Sequence, residues 1–265
     1  MLTVNGDLTL VKNSKGEGGT LTIAQKEDVY VTGTTTINGG LNMTGKSTLS
    51  TSKLVINSQS SSTYSSINNS SILADEVVVN HTFSLLSGST ISALDGDGTM
   101  TVGENGRITQ QGTEIDLETV ITGGHVDIYK GSFADVTLNE GSIAVKGNTS
   151  AQNITLSGGE IVFNEGCTID LGGNALSIGD DAVIRLLFDA ENGFDRACTL
   201  FTNIGEGSEG LENLTIIVSG YDGSNATTVQ ASIKDRKISA TVPEPATATL
   251  SLLALAALAA RRRRK

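Results

Sequence analysis

The 265-residue chain has no tryptophan, four tyrosines and six phenylalanines, and only two each of histidine, cysteine and proline. Each shortage excludes something. So few aromatic rings supply neither stacking platforms for sugar rings nor the filling of a wide core. The histidines, His81 and His125, lie far from each other and from either cysteine in sequence, so no metal-ligand spacing exists and neither metal nor cofactor is expected. Both prolines, Pro243 and Pro245, sit near the C-terminus, and nothing before them breaks a strand ladder in the way proline does. Positive charge is scarce too. The net charge is −11, and the last five residues hold 5 of the 18 basic groups, which leaves 13 against 29 acidic ones, a formal −16, in residues 1–260. Such a body repels phosphate backbones, so nucleic acid is excluded as a partner.

What the sequence does contain is glycine, 31 residues of it, together with abundant Ser, Thr and Asn, the residues of turns. Between the turns run short apolar-x-apolar units such as Leu8-Thr9-Leu10, Leu21-Thr22-Ile23, Val29-Tyr30-Val31 and Leu41-Asn42-Met43. Alternation this short signals strands with one buried face. The stretch from Ser58 to Ser71 breaks the pattern and reads as an inserted loop. The pattern is clearest in Val126-Asp127-Ile128, Val136-Thr137-Leu138, Ile143-Ala144-Val145, Ile154-Thr155-Leu156, Ile161-Val162-Phe163, Ile169-Asp170-Leu171 and Leu176-Ser177-Ile178. Three such units per turn give a repeat of about 22 to 28 residues, within the range that stacks as solenoids. The expectation is an all-β fold, a parallel β-helix or β-solenoid of about eight coils and about 40 Å over residues 1–189. A sandwich or barrel shares the strand spacing but normally has longer strands and more aromatic cores.

From Val183 the texture changes to the longer run Val183-Ile184-Arg185-Leu186-Leu187-Phe188, and Phe188, Phe194 and Phe201 concentrate here. An open solenoid end exposes unpaired backbone, so residues 190–241 are assigned to a β cap that leaves Val242 at the surface.

The last stretch, 242–265, has three parts in order. Val242-Pro243-Glu244-Pro245 should be a stiff, exposed strap, Ala246 to Ala260 is apolar on all faces, and Arg261, Arg262, Arg263, Arg264 and Lys265 close the chain. As a helix the apolar run would reach roughly 22 Å against a hydrocarbon core of about 30 Å, a marginal span for a transmembrane helix. The five cations should stay on the cytoplasmic side and the body outside. This tail resembles the PEP-CTERM sorting signal of exported bacterial proteins. The resemblance implies that Pro243, Glu244 and Pro245 are recognised by an integral-membrane exosortase, which removes the helix and passes the protein to the envelope, cell surface or extracellular matrix. The body, in texture, looks like the passenger regions of autotransporter-like surface proteins.

Other constellations are weaker. Gly205-Glu206-Gly207-Ser208-Glu209-Gly210 matches G-x-G-x-x-G without a convincing helix after it and reads as a flexible turn. Asp95-Gly96-Asp97-Gly98 has the start of a calcium loop but not its terminal Glu, and reads as a tight turn. Asp180-Asp181 with Arg185 could line a groove, though a solvated turn explains them. His125 reads as a turn residue after Gly123-Gly124, and no nucleophile motif surrounds the serines. Cys167 and Cys198 could form a disulfide in an oxidising compartment or be two small buried hydrophobes. Sequons occur at Asn80, Asn148 and Asn153, as composition alone predicts.

These features point to a noncatalytic, adhesin-like or structural exported protein, with a surface glycan or exopolysaccharide as a candidate partner. A carbohydrate-active β-helix enzyme is the alternative, followed by an ice-binding face built on Thr20-Leu21-Thr22, Thr34-Thr35-Thr36 and Thr99-Met100-Thr101. An exported chain should open with a secretory signal, and Met1-Leu2-Thr3-Val4 begins instead in the repeat pattern. The hypothesis is that a signal precedes this sequence. Reading the coding sequence upstream tests it: an in-frame signal peptide supports the expectation, and a stop codon there defeats it.

Overall fold

The computed structural model describes residues 1–11, 19–57, 65–189, 196–212, 214–223 and 226–242. Among these every regular element is a strand, 26 in all, joined in one continuous sheet. From Leu2–Val4 to Thr215–Gly220 the pairings between successive coils are parallel. The body is therefore a parallel β-solenoid of about eight turns.

Parallel stacking places each residue over its counterpart one coil away, about 4.8 Å off. The apolar positions consequently form columns. One runs Ile37, Ile56, Val79, Val102, Ile121, Leu138, Leu156, Ile178, eight consecutive rungs in register and all buried. A second runs Phe83, Ile108, Val126, Ile143, Ile161, Ile184. A third, Val29, Leu49, Ile72, Ile91, Ile115, Phe133, Ala151, closes the remaining side. Burying each large aliphatic side chain is worth about 1.5–3 kcal/mol, and no single coil could bury both of its faces alone.

Coil length varies along the chain: steps such as Leu49 to Ile72 and Ile154 to Leu176 fall within the expected repeat, those in the middle are shorter, and Ile169 to Phe201 is longer. Val29 stacks on Leu49 and Leu49 on Ile72, whereas Ile115 stacks on Phe133 and Val126 on Ile143. The short coils dispense with loops at their corners. Glu118–Phe133 is a single 16-residue strand that bends around the coil. Glycine makes the bend possible: Gly141 has φ +90°, and a Cβ there would collide with the carbonyl oxygen of Gly124 on the neighbouring coil. Where the bend inserts an extra residue, at Gln110 to Thr113, the buried Gln110 turns its side-chain amide onto the Thr113 carbonyl at 2.8 Å. That bond satisfies a backbone acceptor which the bulge would otherwise orphan.

Two segments depart from expectation. Part of the Ser58 to Ser71 stretch is strand, with Ser65–Asn68 and Ser71–Leu73 both continuing the coil. Ser65 is buried in the core, and its hydroxyl accepts the amide of Leu41 at 3.2 Å, so serine fills a position where apolar side chains would have announced the strand. Residues 58–64 lie outside the described set. Val242 is fully buried, not at the surface, because it ends the strand Lys237–Val242 and pairs with Arg196.

The C-terminal end of the stack changes direction. Arg196–Thr202 pairs parallel with the coil below it and antiparallel with Lys237–Val242, which also takes Ser232–Lys234 antiparallel. Thr215–Gly220 is likewise covered by Thr227–Gln230 running antiparallel. These strands occupy edges that the last coil would leave open. Phe163 and Phe201 meet edge to face here, centroids 5.0 Å apart, while Phe194 lies outside the described residues. No helix among the described residues is long and apolar enough to cross a membrane. The apolar run 246–260 lies outside them.

Leu138→Ala, a truncation in the middle of the eight-rung column, should cost about 2–5 kcal/mol in urea unfolding, because the stacked neighbours cannot collapse into the hole. Thr137→Ala, one residue away on the outer face, should stay within about 0.5 kcal/mol. Equal losses at the two positions would contradict the assigned register.

Candidate functional site

The coils expose their polar residues as columns as well. Gly106-Arg107, Gly124-His125, Gly141-Ser142 and Gly159-Glu160 each start an apolar-x-apolar unit, and the register aligns Arg107, His125, Ser142 and Glu160 on successive coils. His125 is thus a strand residue, not a turn residue. Its Nδ1 lies 2.6 Å from the Ser142 hydroxyl one coil away, and its Nε2 lies 3.0 Å from Oδ1 of Asp127, two residues on along the same face. A carboxylate can only accept, so Nε2 carries the proton and Nδ1 accepts from Ser142. Lys146 donates to the same Asp127 oxygen at 2.6 Å and lies 5.4 Å from the centre of the Tyr129 ring. Burial works to raise the Asp127 carboxyl, but the hydrogen bonds from Lys146 and His125 outweigh it and hold the group below the usual carboxylate range. The hydrogen bond to Asp127 raises Lys146.

Beside this group opens a cleft of about 300 Å³, lined by His81, Glu104, Arg107, Gly124, His125 and Ser142. Both histidines of the chain therefore meet in one place, although they are distant in sequence. Sequence reasoning missed this arrangement because it depends on position 125 standing directly beside position 142 on the next coil. The recurring Gly-polar-apolar-x start was the available signal.

A second cleft, about 600 Å³, is lined by Asp97, Asp116, Glu118 and Asp135 from three successive coils. Its corner is held by side chains that accept amides from the next coil: Asp75 takes Leu94 and Asp95 at 3.0 and 2.9 Å, and Asp135 takes Asn153 at 3.2 Å. The Asp95 to Gly98 segment is thus a turn wrapped on Asp75. Among the described residues no group of three or more His, Cys, Asp or Glu is placed to hold a metal ion.

The remaining candidates separate. Arg185 reaches Glu160 one coil away at 2.7 Å and not the exposed Asp180 and Asp181. The Gly205 to Gly210 segment turns at Glu206-Gly207 and is tied to the coil below: Ser208 accepts the amide of Leu176 at 2.9 Å and Glu209 bridges Ser177. The sequon asparagines are structural. Asn80 donates to Asn57 at 2.8 Å, Asn148 accepts from Thr168 at 3.0 Å, and Asn153 joins Asp135 to Ala175. The threonines of the ice-binding reading do not stack, since Thr34 is followed up its column by Lys53, Glu76, Thr99 and Glu118, and Thr35 is buried. Cys167 and Cys198 are free thiols, half-buried and buried, and burial pushes both upward. Neither is an activated thiolate.

Pro243, Glu244, Pro245 and the basic block Arg261 to Lys265 lie outside the described residues. In sequence, residues 241–265 match the family described as the PEP-CTERM protein-sorting motif. No curated protein and no solved structure matches the chain. PEP-CTERM signals are recognised by exosortase, a membrane enzyme, so the motif implies an exported protein processed at the membrane.

The Asp127–Lys146 pair sets a window of pH. Asp127, depressed on folding, contributes stability above its unfolded value of about 3.9 that is lost as pH falls through the folded value. Lys146, raised on folding, contributes below its unfolded value of about 10.4 and loses that contribution as pH rises through the folded value. Lys146→Met should therefore cost about 1 kcal/mol near pH 7 and much less below pH ~3, measured by denaturant unfolding across pH. A cost independent of pH would show that Lys146 acts through packing alone.

Proposed function

We propose that the chain is a structural or adhesive component of the bacterial envelope or extracellular matrix, delivered there by an exosortase acting on its C-terminal signal. The carrying observation is the junction between body and motif. The strand Lys237–Val242 pairs with Arg196–Thr202 through to its last residue and with Ser232–Lys234 at Lys237 to Ser239, and Val242 is fully buried. The motif match begins within that strand, at residue 241, so the recognition residues Pro243 to Pro245 follow the folded body with no spacer. A proline has no N–H to donate, so neither Pro243 nor Pro245 can supply a donor to a strand ladder. A sorted product cut in or after this tripeptide would keep the whole body and lose only the apolar run and its cations.

The body suits a structural role. Its coils repeat polar columns at about 4.8 Å along one rod, a geometry that presents many weak contacts in a row to a glycan or to a neighbouring protein. Its acidity, a formal −16 over residues 1–260, keeps it soluble once released from the membrane. The apolar run 246–260 is read as a short membrane helix whose cytoplasmic end is fixed by Arg261 to Lys265. A second reading, a carbohydrate-active enzyme, is favoured by one feature, the 600 Å³ cleft with Asp97, Asp116, Glu118 and Asp135 in its wall. Release of reducing ends from host exopolysaccharide, lost in Asp116→Asn, would select it.

The test is the intact mass and location of the protein in its own host, with and without the exosortase. The expected result is a product ending near Pro243 to Pro245 outside the cytoplasmic membrane of normal cells, with the full-length chain accumulating only in the mutant. Full-length chain in the membranes of both strains would make the tail a permanent anchor and overturn the sorting reading.

A further inference from the structure

The Ser142–His125–Asp127 group goes beyond a structural role and does not depend on one. We propose that Ser142 is an activated nucleophile that accepts an acyl group from a short-chain ester of a polar, hydroxylated alcohol bound in the adjoining cleft, with His125 as its base.

The residues meet the geometric requirements of acyl transfer in turn. A serine hydroxyl is a poor nucleophile until a base stands ready for its proton, and the His125 Nδ1 at 2.6 Å is such a base. The base must be held in one tautomer, and the Asp127 carboxylate at 3.0 Å from Nε2 does this. Asp127 is a positioning residue here. It remains ionised because Lys146 also donates to it, so it can stabilise the imidazolium that forms as Ser142 loses its proton. Which ring nitrogen plays which part is immaterial, since either can serve as base when a carboxylate holds the N–H of the other.

The setting distinguishes this group from the other inter-coil contacts. Arg185 and Glu160, or Lys53 and Glu76, are ion pairs of two surface side chains. Ser142 and His125 instead line a cleft of about 300 Å³, the lower end of the range for ligand pockets. Gly124 in its wall lets the coils close up at this point, since a Cβ there would collide with the Gly103 and Gly106 carbonyl oxygens. Arg107, in register with His125 one coil below, brings a positive charge to the same cleft, where a tetrahedral intermediate would develop negative charge. The polar lining, with Glu104 and His81, suits the hydroxyls of a polyol or sugar and is ill suited to a long acyl chain.

The step balances without a further reagent. The Ser142 proton passes to Nδ1 as Oγ bonds to the acyl carbon, the ester C–O bond breaks, and the departing alcohol takes the proton from His125. Water then attacks the acyl-serine by the same route, returning the serine and releasing a carboxylic acid. Hydrolysis needs only water as co-reactant.

The experiment uses a fluorophosphonate probe on the purified chain, because the serine attacks phosphorus and displaces fluoride whatever the natural ester is. Intact mass should show one added label, mapped by peptide analysis to Ser142. Ser142→Ala should remain unlabelled while keeping its far-ultraviolet circular dichroism. His125→Gln should label about 100-fold more slowly or worse. Asp127→Asn should lower the maximal labelling rate while leaving the probe concentration for half-maximal rate unchanged, a split that a general loss of structure would not produce. Wild type labelled no faster than folded Ser142→Ala, or label scattered over other serines, would overturn the proposal.

Discussion

The hydrogen bonds between coils fix the spacing of everything else. A parallel ladder sets each residue about 4.8 Å above its counterpart, and at that distance unlike side chains rarely coexist on the inside. An apolar residue above an apolar residue is buried by it, and a charge in the same place would be stranded. The column from Ile37 to Ile178 is the result. So is the scarcity of aromatics, since coils this short enclose room for one layer of aliphatic side chains per face. Buried polar groups are least costly when their hydrogen bonds are satisfied close by, a condition that the hydroxyls of Ser89 and Thr119 do not meet. Thr51 meets that condition by donating to the Gly33 carbonyl at 2.8 Å, and Ser47 by donating to the Ile23 carbonyl at 3.1 Å.

The same spacing governs the corners. A chain that completes a turn between Val126 and Ile143 has no length to spare for loops, so carbonyls of successive coils crowd at the bends. Gly141 over Gly124 relieves that crowding by omitting a side chain. Where the corner is wider, Asp and Asn side chains do the opposite and fill the gap, with Asn57 and Asn80 linked at 2.8 Å and Asn153 tied to Asp135 at 2.9 Å. These bonds explain why the sequence is rich in Asn, Asp and Gly without being disordered.

How much of this could be read from sequence follows from where the alternation is visible. Val126-Asp127-Ile128 and Ile143-Ala144-Val145 advertise buried strands, and the register stacks them directly on each other. Coil length is harder to see in the middle of the chain, because there the third face carries almost no alternation: it is represented by Phe133 in one coil and Ala151 in the next, with Gly131 and Ser132, then Thr149 and Ser150, beside them. Counting three visible units to a turn overstates the coil there, since two visible units and one silent one complete it. Ser65 hides a strand in the same manner. The Ser142–His125 pairing is illegible for a derived reason, because it emerges only once the coil step is known. The tail is legible because its information is chemical and sequential: proline, an uncharged apolar run and a block of cations act in that order whatever the body does.

The burial of Val242 joins these two kinds of information. The last coil needs its open edge covered, and Lys237–Val242 covers it, with Ile238, Ala240 and Val242 turned inward and Lys237 and Thr241 outward. Alternation thus continues to the last residue before Pro243. Ala240 to Val242 pair on one edge, with Cys198 to Arg196, and the sorting motif matched in sequence begins at residue 241, so the cap and the motif share Thr241 and Val242. A folded cap withholds Val242, and a chain whose cap has not yet closed presents it. The overlap is confined to two residues: Thr241 and Val242 close the folded body as strand and open the sorting motif in sequence, so among the described residues the sheet ends where the tripeptide begins.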